Sequence, residues 1–274
     1  MGRFASLRLP GPIQRAEIRL FVALAGVDLS EARDSIDAFG SLQQFFTRAL
    51  RDGARPIEGD HGCLVAPCDG AWGESGRIES GTLVQVKGRN YGVAELLGDS
   101  VLAAEFDGGC FATFYLSPRD YHRFHTPAAG RITRIEYHPG ALWPVNSIGL
   151  QGIDGLFARN ERICALFDST PRNGKDRSAD IPTEPSIALV AVGATMVGSV
   201  RLAFDELTTN IPGRGHARRE FGSHAPEFAR GEEWGHFEFG STIVMLTRPA
   251  GPEIDFRPLG EPLRLGQQIG RLSR

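Results

Sequence analysis

Lysine is almost missing from this chain. Of its 30 basic residues only Lys87 and Lys175 are lysines, so any chemistry that needs a lysine amine has two candidates. Cations are not in excess either. A formal net charge of −3 argues against a nucleic-acid binder, which must displace counterions with Lys and Arg. The four cysteines, Cys63, Cys68, Cys110 and Cys164, form no CxxC pair; this favours free buried thiols in a reducing compartment over a disulfide framework or a zinc site. No run of 18 apolar residues occurs, so no bilayer-spanning helix is expected. The apolar stretch 20–25 is too short for a good signal peptide. A Gly-x-Ser-x-Gly nucleophile elbow is also missing, which counts against the common serine-hydrolase arrangement of Asp, His and Ser.

What is present is an ordinary soluble composition. Hydrophobic residues make up 41% and charged residues 23% of 274 residues, enough for one large domain or two small ones with a real core. Glycine, at 34 residues, exceeds its usual ~7% share and predicts many tight turns between short strands. The first fifty residues read as helical. Pro12 can open a helix, with Ile13, Leu20 and Leu24 on one face and Arg15 and Arg19 opposite, although Glu17 interrupts the apolar stripe. Such a helix either packs on the core or lies at a membrane interface. A second short helix is expected around Leu29, Ser30 and Glu31 with Ser30 as N-cap, and a third over 42–50 after Gly40 and Ser41.

From Val65 onward the pattern changes to strands. Residues 82–86 and 131–137 alternate, 110–116 is a compact apolar-aromatic run, and 187–192 reads as a fully buried strand. Two polar stretches, 168–186 and 207–227, read as long loops. Helices first and strands afterwards predict an α+β protein with a β-rich core of mostly antiparallel sheets: a helical segment over 1–52, open to membrane association, and one domain over 53–274.

Three short segments could carry chemistry. Asp69 stands in Ala66-Pro67-Cys68-Asp69-Gly70, where the bland reading is Asp-Gly turn chemistry. His122 and His125 lie three apart in Leu116-Ser117-Pro118-Arg119-Asp120-Tyr121-His122-Arg123-Phe124-His125, directly after an apolar strand. One helical turn would point both histidines the same way and an extended segment would separate them. A metal would want two further ligands at suitable spacing, none is evident, and no metal is expected. The third segment runs Phe237-Glu238-Phe239-Gly240-Ser241-Thr242 into an apolar strand. Its bland reading is a two-residue hairpin turn. Its chemical reading uses the same residues: a serine hydroxyl beside a flexible glycine can attack the preceding carbonyl and convert the peptide to an ester. If that ester eliminates, the serine becomes dehydroalanine and finally a pyruvoyl group, whose carbonyl can form a Schiff base with an amine and accept electrons.

Taken together the segments resemble the phosphatidylserine decarboxylase family. The likeness runs, in order, through Phe45-Phe46-Thr47-Arg48, Gly53-Ala54-Arg55-Pro56-Ile57, Pro67-Cys68-Asp69-Gly70, the Tyr121-His122-Arg123 segment and Asn160-Glu161-Arg162. It continues through Val192-Gly193-Ala194-Thr195-Met196-Val197-Gly198 and ends at Gly240-Ser241-Thr242. The resemblance implies a proenzyme that cuts itself between Gly240 and Ser241, turning Ser241 into the covalent pyruvoyl cofactor. It implies a self-cleavage triad of Asp69, His125 and Ser241, with His125 as general base and Asp69 orienting it, and places His122 in the decarboxylation step. It further implies phosphatidylserine in a membrane as substrate, phosphatidylethanolamine and CO2 as products, and two chains of one precursor as partners. A peripheral site on the cytoplasmic face of the cell membrane is the expected location; a homo-oligomer stays open, and no nucleic acid is expected. The arginine-rich composition suits a phosphate head group. The alternatives are a pyruvoyl-dependent decarboxylase of a soluble amino acid and, in a different class, a small barrel carrying biotin or lipoate on Lys87. At 207–227, with Arg214, Arg218 and Arg219, the likeness fades.

Overall fold

The structure, a computed structural model, describes residues 5–169, 185–195, 199–238 and 241–272, with Ser241 described by its backbone. The apolar strands at 187–192 and 241–247 can be buried on both faces only in the middle of a covered sheet, and that is where they lie. The order across the main sheet is Ala217–Glu220, Gly130–His138, Arg162–Asp168, Ile187–Val192, Ser241–Thr247, Cys110–Leu116, Gly70–Arg77 and Pro262–Leu263, with Glu227–Phe228 also pairing with Gly130–His138. The pairings are antiparallel.

The two-residue period of a strand then sorts side chains into two cores. Ile187, Leu189, Ala191, Ile243, Met245 and Phe114 face one, where Phe124, Val200, Trp234 and Phe237 cover them. Those covering residues belong to a smaller sheet of Val200–Leu202, Glu233–Phe237 and Arg123–His125. Ala188, Val190, Val192, Val244 and Leu246 face the other core, covered from the short helices Val93–Leu97, Ser100–Ala104 and Leu156–Arg159. Each fully buried Leu, Ile, Val or Phe contributes about 1.5–3 kcal/mol, so the doubly covered central strands anchor the molecule. The α+β architecture with a β-rich, antiparallel core matches the expectation.

Several local readings change. The N-terminal helix forms over Gly11–Ala25, but its inward residue is Ile18, packed with Phe21, Val22, Ala25, Leu29 and Phe45. Ile13, Leu20 and Leu24 sit roughly 220° round the helix from Ile18, at ~100° per residue, and are 56%, 60% and 80% exposed. The helix therefore has two apolar stripes, one docked and one facing out. No helix begins at Ser30: its N–H donates to Asp28 Oδ1 at 2.8 Å, a side-chain turn that competes with helix, and Ala32 instead bridges Leu50. The third helix covers only Leu42–Phe46, N-capped by Ser41, whose Oγ accepts from Gln44 N. Residues 207–227 are not one loop, because Ala217–Glu220 forms the edge strand beside Gly130–His138. Of the other expected loop, 170–184 lies outside the described residues. The barrel reading of Lys87 fails on topology: Thr82–Val86 and Arg89–Gly92 form a two-stranded sheet.

Candidate active site

Strand register assembles the site. Ser241 begins its strand opposite Leu116, the last residue of Cys110–Leu116. Across the other edge of Cys110–Leu116, Ala71 lies against Tyr115, so Asp69 is delivered to the same end of the same three strands. Gly70 permits that approach. Its φ is +144°, and a Cβ there would stand 2.1 Å from the Tyr115 carbonyl oxygen. The expected hairpin at Gly240 and Ser241 does not occur. Glu233–Phe237 pairs with Val200–Leu202 and Arg123–His125, while Ser241–Thr247 crosses into the main sheet; Gly240 itself lies outside the described residues.

Beyond Leu116 the chain turns tightly, with Ser117 N and Oγ donating to Asp120 Oδ2 at 2.7 and 2.6 Å. It then runs into the strand Arg123–His125. The Phe237 N–H donates to the His122 carbonyl at 2.9 Å, holding the histidine against the strand that leads toward Ser241. The His125 N–H donates to the Pro67 carbonyl at 2.7 Å, tying it to the Asp69 segment.

Both imidazoles are in the same chemical state. His122 Nδ1 is 2.9 Å from the Asp120 carbonyl and His125 Nδ1 is 2.9 Å from the Gly231 carbonyl. A carbonyl only accepts, so Nδ1 carries the proton in each ring and Nε2 keeps its lone pair. Both Nε2 atoms are buried and have no hydrogen-bond partner among the described residues. Burial is the main force on each ring and keeps it neutral. It takes the His122 pKa down to about 3, against the opposing bond to Asp120 and with added repulsion from Arg48. His125 is lowered from the same first cause, against its bond to Gly231. Leaving a buried acceptor unpaired costs about 1–3 kcal/mol, and this segment carries two such atoms three residues apart.

Asp69 is placed differently from the expected triad. Its carboxylate is gripped by Arg55, Nε to Oδ1 at 2.8 Å and Nη2 to Oδ2 at 2.5 Å, and Oδ1 also accepts from Leu265 N at 2.8 Å. The His125 Nδ1–H is held by the Gly231 carbonyl, so it is this carbonyl that orients the ring. Asp69 still acts on His125 through its charge, as the weakest of the influences named for that ring.

The model of the family described as phosphatidylserine decarboxylase matches residues 42–271. The chain belongs to the phosphatidylserine decarboxylase family. Among its relatives, a phosphatidylserine decarboxylase proenzyme of Anaeromyxobacter sp. (strain K) is 41% identical over 98% of this chain and 92% of the relative. One of Acidovorax ebreus (strain TPSY) is 44% identical over 98% and 90%, and one of Myxococcus xanthus (strain DK1622) is 39% identical over 100% and 92%.

In this family member several supporting residues escaped the reading of the sequence. Phe46 lies against the His122 ring, centroids 3.9 Å apart. Arg123 donates from Nε and Nη2 to the Thr47 carbonyl and from Nη1 to Glu233 Oε2 at 2.9 Å. Buried Arg48 donates from Nη2 to the Arg119 carbonyl at 3.1 Å, while its Nε and Nη1 have no partner among the described residues. The N-terminal segment thus forms one wall of the site. Arginines inside the matched segments were the available signal, but their partners are distant in sequence.

The Arg55–Asp69 pair gives a direct test. Arg55→Ala strands a buried carboxylate, so unfolding in urea is expected to show a loss of about 3 kcal/mol. Arg55→Lys should recover only part of it, because a lysine cannot supply the two-pronged donor.

Proposed function

We propose that this protein cuts itself between Gly240 and Ser241 and that the two resulting chains, 1–240 and 241–274, together convert phosphatidylserine to phosphatidylethanolamine and CO2. The observation that carries this reading is the pair of neutral histidines whose buried Nε2 atoms have no partner among the described residues, on a segment tied by backbone hydrogen bonds to Phe237, ahead of Ser241, and to Pro67, ahead of Asp69. The proenzyme names of the relatives support the cutting, and their substrate name supports the lipid.

For the cut, His125 Nε2 accepts the Ser241 hydroxyl proton as the oxygen attacks the Gly240 carbonyl carbon, and the proton passes to the departing Ser241 nitrogen. The Gly240–Ser241 amide becomes an ester. Loss of the Ser241 α-proton expels the Gly240 carboxylate, and water replaces the residue's nitrogen, released as ammonia, to give the pyruvoyl group. Two buried lone-pair nitrogens with no partner among the described residues suit such a group at residue 241. Once in place it supplies an electrophilic carbonyl for a substrate amine and a sink for the electrons of the breaking carbon–carboxylate bond. His122 holds the proton destined for the carbon that CO2 leaves. As a resident acid it would be empty at neutral pH, and an anionic substrate beside it raises its proton affinity. The free Nε and Nη1 of Arg48 suit a carboxylate or phosphate of that substrate.

No helix among the described residues is long and apolar enough to cross a membrane. The outward stripe of Ile13, Leu20 and Leu24 supports a peripheral placement on a membrane, and the cytoplasmic face of the cell membrane is the side that the family resemblance implies. Replacing Leu20 and Leu24 together with Glu removes about 1.5–3 kcal/mol of apolar burial per side chain. Co-sedimentation with phosphatidylserine vesicles is therefore expected to weaken at least about tenfold, with turnover of a short-chain soluble analogue retained. The purified mature protein should decarboxylate phosphatidylserine in vesicles and leave free amino acids untouched. Activity on free amino acids alone would sink the lipid reading and favour the soluble-substrate alternative.

A further inference from the structure

On the opposite flank of the main sheet a second group of side chains converges. Glu136 and His138 are two apart on the strand Gly130–His138 and so share a face. His216 directly precedes the strand Ala217–Glu220, whose Ala217 pairs with Tyr137, and this register sets His216 beside His138. The ring centroids of the two histidines are 5.0 Å apart. One ligand atom from each of Glu136, His138 and His216 falls within 4.8 Å of the other two. Glu136 Oε2 is 3.2 Å from His216 Nε2 and 3.7 Å from His138 Nε2. A tetrahedral metal centre with bonds of 2.0–2.1 Å has ligand–ligand edges of about 3.3 Å.

The site is built rather than incidental. His138 is 7% exposed, and its Nε2 is buried with no hydrogen-bond partner among the described residues. The ring lies beside the backbone of Leu97 and Gly98, and its Nε2 is turned to the cluster, 3.7 Å from Glu136 Oε2; a backbone group behind the ring is how metal-binding histidines are oriented. Gly98 makes room for it. Its φ is +69°, and a Cβ there would meet His138 Cε1 at 2.3 Å and Nδ1 at 2.8 Å. The other carboxylate oxygen, Glu136 Oε1, is engaged by Arg218 at 3.0 Å and Arg134 at 3.5 Å. Asp99 and Glu220 share those two guanidinium groups and balance their charge, while buried Arg162, opposite His138, is held by backbone carbonyls and adds a positive charge that a bound ion must offset. The His216 side chain is half exposed, which leaves a fourth position open to water.

We infer that Glu136, His138 and His216 form a binding site for a divalent transition-metal cation of the zinc class, separate from the Ser241 centre. Two imidazoles and one carboxylate suit zinc, and they disfavour magnesium and calcium, which want oxygen ligands. The row His138, Arg162, Val192, Thr242 crosses the sheet, so the site lies three strand spacings, roughly 14 Å, from the start of the Ser241 strand. A bound ion would fasten the edge strand Ala217–Glu220 to its neighbour. Occupancy does not depend on self-cleavage.

The test uses the full-length, untagged, chelator-treated protein, titrated with Zn2+ by calorimetry and with Co2+ by visible absorption. The expected results are one ion per chain, the intense bands of tetrahedral Co2+, a higher melting temperature with Zn2+, and no displacement by excess Mg2+. His216→Ala changes an exposed side chain and should melt like the parent without metal. It should weaken Zn2+ binding at least about 100-fold, since even changes behind the ligands cost 10–100-fold. Glu136→Gln should weaken it as well, while His224→Ala, an exposed histidine outside the cluster, should bind as the parent does. Failure of the parent to bind Zn2+, or parental affinity in His216→Ala, would overturn the assignment.

Discussion

Ser241→Ala is expected to remain a single uncut chain with no decarboxylase activity, whereas the parent resolves by intact mass into 1–240 and 241–274, the latter blocked by a pyruvoyl group. The change removes one oxygen, and every chemical role assigned to residue 241 needs that oxygen. A methyl group cannot attack the Gly240 carbonyl, and without the ester there is nothing to eliminate. The fold should not register the change, because residue 241 joins the sheet through its backbone pairing with Leu116, which alanine retains. Urea unfolding of the variant is therefore expected within about 0.5 kcal/mol of the uncut parent, the range of a substitution that breaks no packing. Loss of cutting with retained stability separates chemistry from structure. A cleaved Ser241→Ala chain, or a parent that is fully active while uncut, would refute self-cleavage at this bond.

Local pattern located many of the elements and few of the partners. The apolar runs at 110–116 and 187–192 coincide with Cys110–Leu116 and Ile187–Val192, because a doubly buried strand leaves an unbroken hydrophobic signature. The start of the third helix after Ser41 was legible because capping depends on a residue three positions away, Ser41 Oγ accepting from Gln44 N. The N-terminal helix was legible as a helix but not in its orientation: both of its stripes are apolar, and only the position of Phe45 decides that Ile18 faces inward. Gly240 and Ser241 looked like a hairpin because Phe-Glu-Phe and the following strand are adjacent in sequence. Each strand instead pairs with one that is more than a hundred residues earlier, Arg123–His125 and Cys110–Leu116, and with a nearer one, Val200–Leu202 and Ile187–Val192. Asp69 illustrates the same limit. The family resemblance implied a partner for His125, but the Arg55 fork and the Leu265 amide claim its oxygens. The cluster of Glu136, His138 and His216 is hidden for a further reason: spacing arguments look for ligands within one segment, and here an edge strand supplies the third.

The two histidines should separate cutting from turnover. His125→Ala removes the Nε2 lone pair beside the Asp69 segment, and self-cleavage is expected to slow by about 10²–10⁴-fold, the usual range for a general base. The uncut chain should accumulate and be seen directly by mass. His122→Ala leaves His125 and its bonds to Pro67 and Gly231 in place, so the chain should still be cut. Turnover should nevertheless fall at least about 100-fold, because the proton for the decarboxylated carbon has lost its carrier. His122→Ala also opens a gap against Phe46, whose ring centroid lies 3.9 Å from the imidazole, so a loss of stability alone could imitate a loss of activity. His122→Gln removes that ambiguity by filling most of the space without a titratable nitrogen; it should be cut, remain folded at the assay temperature and turn over as poorly as the alanine variant. Near-parental turnover in His122→Gln would remove the proton-carrying role. Parental cutting in His125→Ala would move the general base to another group. If both variants stayed uncut yet folded, the two rings would serve one step rather than two, and the division of labour that the family resemblance implies would fail.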